Sequence, residues 1–166
     1  MLGDWFFRRR LRRLDRVFSG AQVALQRAWF ASAAGSGRPR GLEWKESRWL
    51  PQRVLLRERQ TGEWWMLNGV NLQFAAIPGG GMEDVAAVAQ LKEGCAVFVW
   101  DGVAWAPNGR TLFNLDPASA AKHLEESHEM CLLVEGAVIV VPEMSLTIAV
   151  SAAGLFLLWL PGAVFR

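Results

Sequence analysis

Phe7, Leu11, Leu14, Phe18, Ala21, Leu25 and Ala28 follow one another at alternating steps of four and three residues. A helix gathers such a series onto one face, because about 3.6 residues complete a turn. The spacing predicts a helix over residues 4–33, with Asp4 near its start, where a carboxylate complements the helix dipole. Gly20 is its weak point, at a cost of about 1 kcal/mol against Ala. Arg8, Arg9, Arg10, Arg12, Arg13 and Arg16 take the flanks and the far face. Two uses fit such a helix. Its stripe packs on the chain's own domain or a partner helix, the commoner case, or it lies in a membrane interface with the arginines turned to the headgroups.

The arginines make the chain electrically lopsided. Residues 1–40 hold nine Arg against two Asp, and the remainder holds nine Lys or Arg against fourteen Asp or Glu. A basic arm on a mildly acidic body calls for an anionic partner: a membrane surface, an acidic protein face or, less favoured, a nucleic acid. Gln22, Gln26 and Arg27 interrupt the stretch where a secretory signal needs an apolar run, so it does not read as one.

Ala34 to Gly41 is a linker by composition, with residues 35–41 separating the arm from the body. Residues 42–130 read as a small α+β domain with an antiparallel sheet. Arg53–Arg59 and Glu63–Phe74 are strands around the Gln60-Thr61-Gly62 turn. Asn68-Gly69 inside the second run suggests a bulge or a second turn. Cys95–Trp100, Asp101-Gly102 and Val103–Trp105 form the clearest hairpin signal, and Asn108-Gly109 marks a further turn before a strand at Arg110–Phe113. Asp84–Leu91 has room for one or two helical turns. Asp116 and Pro117 open a capped helix expected to run to about Glu129.

Residues 131–166 are an apolar segment, and the 22 residues from Met144 to Phe165 carry no charge. About 20 apolar residues suffice to span a bilayer, so 144–165 is the expected single-pass anchor, with Trp159 at the interface. The competing reading is a buried strand at Leu132–Val141 followed by a buried helix or hairpin.

No catalytic, metal or cofactor motif emerges. His123 and His128 stand five apart, which on a helix does not converge on one ion. Cys95 and Cys131 share no metal-binding spacing and read as unpaired thiols. Gly79-Gly80-Gly81 lacks the Lys-Ser/Thr of a phosphate-cradling loop and is followed by Glu83 and Asp84, so it reads as a loop that touches a partner.

Gly41–Lys45, Pro78–Val85, Ala96–Gly102 and Phe113–Pro117 resemble segments of an uncharacterised family of small planctomycete-type bacterial proteins. The resemblance covers about residues 41–128 and implies one coherent domain there, with no activity, cofactor or site to carry over. The apolar tail after Glu129 departs from the family pattern, as an acquired anchor or a tail without a selected role.

The functional expectation is a non-enzymatic, membrane-associated binding or accessory protein on the bacterial cytoplasmic side, held by the C-terminal segment and the arginines. Two alternatives stand beside it: a soluble cytoplasmic interaction module using the N-terminal helix, and an enzyme with a site around Glu83, Asp84 and the loops near Trp100 and Trp105.

Overall fold

In the computed structural model, residues 2–36, 41–85, 88, 90–135, 138–140, 147–151 and 154–155 are described. Helix α1 spans Leu2–Ser36. Strands β1 (Leu42–Glu58), β2 (Trp64–Ala76), β3 (Lys92–Trp100) and β4 (Trp105–Phe113) follow, then helix α2 (Pro117–His123) and strand β5 (His128–Glu135). The fold is α+β, and the five strands are antiparallel in the order β4-β3-β2-β1-β5. Three short strands, β6 (Val138–Val140), β7 (Thr147–Ser151) and β8 (Gly154–Leu155), continue beyond β5.

Alternation along the strands divides the core in two. Leu55, Met66, Phe98 and Leu132 point to one face, where α1 lies. Val54, Leu56, Leu67 and Val97 point to the other, where Ala120 and Ala121 of α2 pack. Strand β2 is therefore buried on both sides over most of its length, because both of its faces are covered.

The stripe of α1 is used within the chain. Leu11, Leu14, Phe18, Leu25, Trp29 and Ala33 are buried against the sheet. The expected register holds as far as Leu25, but Ala28 is exposed and Trp29 takes its place. A strict seven-residue repeat drifts by about 20° per heptad on a straight helix, so after three heptads the neighbouring residue faces the core. Aromatic contacts and indole hydrogen bonds hold the helix down. Phe18 meets Phe98 and Trp105 edge-on, with ring centroids 5.2 and 5.8 Å apart. Trp105 Nε1 donates to Leu14 O at 3.0 Å, and Trp29 Nε1 donates to Arg110 O at 3.2 Å. Arg53 Nε donates to Asp15 Oδ1 at 2.7 Å, and its Nη2 donates to Ser19 Oγ at 3.1 Å. This mostly buried ion pair ties α1 to β1.

Several turn signals have a different outcome. Strand β1 begins eleven residues before Arg53, because two register shifts, at Trp44/Glu46 and Trp49/Arg53, hide its period of two. The second shift also admits Pro51, which an unbroken ladder would exclude. Asn68 and Gly69 form neither a turn nor a bulge of β2. They serve the bulge of β1 opposite: Asn68 Nδ2 donates to Leu50 O and Gln52 O at 3.0 Å each. Its Oδ1 accepts from Gln26 Nε2 of α1 at 3.2 Å. A Cβ on Gly69 would stand 3.2 Å from Leu50 Cβ, so glycine lets the bulge come close. Asn108-Gly109 is likewise a bulge within β4, with Gly109 at φ 73°. The hairpin turn is four residues, Asp101–Ala104, between the paired Trp100 and Trp105. Asp101 Oδ1 accepts from the backbone N–H of Val103 and Ala104, which makes the longer loop preferable to a two-residue one.

Asp116 caps α2 as expected, accepting from Ser119 N at 2.9 Å, with Pro117 at the first helical position. The helix ends at His123, however, not near Glu129. His128 opens β5, buried, with its ring 4.3 Å from that of Trp65 and its Nδ1 2.8 Å from Ser127 Oγ. Burial lowers its pKa. Pairing of His128–Val134 with β1 outweighs the local helical preference of residues 124–129. Val85 N–H donates to Met82 O and Val88 N–H to Val85 O, and Val88 lies in a 3₁₀ turn within the stretch expected to form one or two helical turns.

The two cysteines are buried on opposite faces of the sheet, Cys95 on the α2 side and Cys131 on the α1 side. Burial, reinforced by the charges of Asp116 and Glu93, pushes the Cys95 thiol up to about 12. Neither thiol is expected to react with an aromatic disulfide reagent at pH 8 in the native protein, and both should react in urea. Rapid native labelling of either would contradict this packing.

Within the expected anchor, Thr147–Ser151 and Gly154–Leu155 are strands. Trp159 and the other residues of 144–165 lie outside the described residues. Among the described residues no helix is long and apolar enough to cross a membrane.

Candidate anionic-ligand surface

Since α1 buries one face, its first half must turn the other to solvent. That face carries Trp5, Arg8, Arg9, Arg12, Arg13 and Arg16, which together border an open recess of about 490 Å³. From residue 5 to residue 16 the helix rises about 17 Å, at 1.5 Å per residue. Arg12, Arg13 and Arg16 make no ion pair among the described residues. Asp15, the nearest carboxylate in sequence, is turned inward to Arg53.

A second recess, of about 380 Å³, opens on the flank of α1 that meets the β3–β4 turn. Phe6, Arg9, Arg10, Arg13, Leu14, Trp100 and Gly102 line it. Arg9 and Arg13 border both recesses, while Arg10 belongs only to this one. The Arg9 guanidinium lies 5.2 Å from the Trp5 ring and that of Arg10 lies 5.4 Å from Trp64. Such stacking orients the planar group and leaves its edge N–H donors for another partner. Asp101, beside Gly102, makes no ion pair with these arginines among the described residues. Its carboxylate accepts from its own turn, and those backbone hydrogen bonds hold its pKa below the usual carboxylate range.

Large apolar side chains stand at the same end. Trp5 is 54% exposed, Phe6 60% and Val103, at the tip of the β3–β4 turn, 85%. Cations and exposed apolar groups side by side are what an interface with both phosphate and hydrocarbon requires.

The six arginines anticipated from the sequence thus fall on one half of α1 and divide between two recesses. Trp5 and Phe6 lie outside that expectation, and Trp100 and Gly102, expected in a hairpin and near an enzymatic site, join the arginines instead. Trp5-Phe6 stands directly before the arginine block and was available as a signal. The contribution of Trp100 and Gly102 depends on β3 and β4 packing under α1, some ninety residues away in the chain.

The glycine loop is occupied with its own structure. A Cβ on Gly80 would lie 2.8 Å from Gly41 Cα, so the two backbones need glycine to pass. Ile77 N–H donates to Gly41 O at 2.9 Å. The Glu83 carboxylate accepts from Gly79 N–H, and its own backbone N–H, followed by that of Gly79, lowers its pKa. Gly79 and Gly81 have positive φ with open space around them, and Asp84 is exposed. Glu83 and Asp84 line a recess with Phe74 and Met82, whereas Trp100 lines the one under α1. Trp105 is buried with its N–H on Leu14. Glu83 and Asp84 thus border one recess and Trp100 another. No three His, Cys, Asp or Glu gather in a metal-holding group among the described residues.

Comparison with known proteins finds no matching family model, no similar curated protein and no similar solved structure.

Proposed function

We propose that this protein is a non-enzymatic peripheral membrane-binding protein that attaches to anionic lipid through the N-terminal half of α1. The observation that carries the reading is the conjunction of the Arg8–Arg16 face with exposed Trp5, Phe6 and Val103 at one end of the molecule. Arginine near an anionic leaflet contributes about 1 kcal/mol per residue, and this falls off with salt. Aromatic side chains add the apolar half of the attachment, since a single weak signal seldom holds a protein to a bilayer. The anionic leaflet that suits it is the cytoplasmic one. The competing use of α1, as a docking stripe for a partner helix, has less to support it, because the stripe is buried on the chain's own sheet.

The test is co-sedimentation with vesicles of phosphatidylcholine alone and with about one third phosphatidylglycerol, with salt varied. Binding is expected only with the anionic lipid and should weaken as salt rises. Replacing Arg9, Arg12, Arg13 and Arg16 together by Gln should reduce it by about 10²–10³-fold, at roughly 1 kcal/mol for each charge. Binding unaffected by the four substitutions would remove the proposal. Tighter binding to a single-stranded oligonucleotide than to any vesicle would replace it with nucleic-acid binding.

A further inference from the structure

The recess between α1 and the β3–β4 turn differs from the open arginine face beside it. It brings Arg9, Arg10 and Arg13 together over Leu14, between Phe6 and Trp100. Stacking on Trp5 and Trp64 holds two of the three guanidinium groups. Asp15 is paired with Arg53, and Asp101 accepts from the backbone of its own turn. A diffuse anionic surface needs only charges that reach it. Three arginines around one concavity suit a compact group with two negative charges and several acceptor oxygens on a single centre. Neighbouring aromatic walls suit the organic part attached to that group.

We propose that this recess is a binding site for a phosphate monoester. Its membrane-borne form is a lipid headgroup ending in a monoester phosphate, an assignment that rests on the attachment proposed above. Its soluble form is a small phosphomonoester. The monoester phosphate loses its second proton near pH 6, so affinity rises between pH 5 and 7.5 as the dianion forms. A diester headgroup has one charge and gains no such preference. Arg10 separates the two levels of the argument, because it lines this recess and not the open face.

Two measurements on the full chain test the site. In the first, vesicles containing phosphatidic acid are compared at pH 7.5 with phosphatidylglycerol vesicles matched in surface potential. Phosphatidic acid should be bound about tenfold tighter, the effect of added charge-assisted hydrogen bonds. Arg10→Gln should erase that preference, while phosphatidylglycerol binding falls only by the roughly fivefold expected for one lost charge. In the second, phenyl phosphate is titrated while the tryptophan and arginine side-chain NMR signals are followed, with phenyl sulfate as the singly charged control. Shifts at Trp100 that saturate with phenyl phosphate, are weaker with phenyl sulfate and are lost in Arg10→Gln establish the site. With phosphatidic-acid preference, the source is the lipid headgroup. Without it, the source is a soluble phosphomonoester. Absence of both the preference and the shifts overturns the inference. The same result with intact phosphatidylglycerol binding leaves the membrane reading standing, so the two proposals fail separately.

Discussion

A chain lacking residues 1–36 is expected to lose its cooperative fold. Helix α1 lays Leu11, Leu14, Phe18, Leu25, Trp29 and Ala33 over one whole face of the sheet. Each large side chain so buried contributes about 1.5–3 kcal/mol by area, before the newly exposed partners are counted. Five such residues together reach the 5–15 kcal/mol that an ordinary domain has in total. Removal also uncovers Leu55, Met66, Phe98 and Leu132, and leaves Arg53 without Asp15 and Ser19. The measurement is urea unfolding followed by tryptophan emission and far-ultraviolet circular dichroism, with a hydrophobic dye as reporter. The truncated chain should show a shallow or absent transition and strong dye binding at zero urea. A sharp transition like that of the full chain would mean that the sheet stands alone and α1 is a detachable arm.

Asn68→Asp should be nearly as damaging, at about 4 kcal/mol, within the range for an uncompensated buried charge. Asn68 is fully buried, and its amide donates to Leu50 O and Gln52 O while accepting from Gln26. A carboxylate keeps the acceptor and loses both donors, so it faces two carbonyl oxygens in a site with little water. Asn68→Leu, which removes the polar atoms but leaves the two carbonyls unpaired, should cost less, about 2–3 kcal/mol. The pH dependence separates the mechanisms. The introduced carboxyl is raised in the folded state above its unfolded value near 4, because the charged form is disfavoured there. The folded state then binds more protons than the unfolded one between those two values. The deficit of Asn68→Asp against wild type should therefore shrink as pH falls from 7 towards 4, while that of Asn68→Leu stays constant. Equal, pH-independent losses would mean that the amide donors matter little.

Much of the local structure was legible because it rests on short-range chemistry. The helix at the start follows from spacing alone. The cap at Asp116-Pro117 and the hairpin between Trp100 and Trp105 follow from residues that bond their own backbone. The errors share one origin. Asn68-Gly69 and Asn108-Gly109 have turn chemistry, yet both lie within strands, where a positive φ or a close approach serves a bulge. Whether such a pair turns the chain or kinks it depends on what the neighbouring strand offers. His128 reads as helical by its neighbours and is drawn into β5 by pairing with Glu58 and stacking on Trp65.

The candidate site divides in the same way. That Arg8 to Arg16 share half of a helix is a consequence of 3.6-residue periodicity and needs no fold. Which of those arginines would point together, and beside what, was decided when Phe18, Trp29 and Trp105 set the rotation of α1 on the sheet. That rotation brought Trp100 and Gly102 beside Arg10 from some ninety residues away. Periodicity is a property of neighbours along the chain, whereas the rotation of a helix about its own axis is set by contacts distant in sequence, so only the folded structure could define the recess.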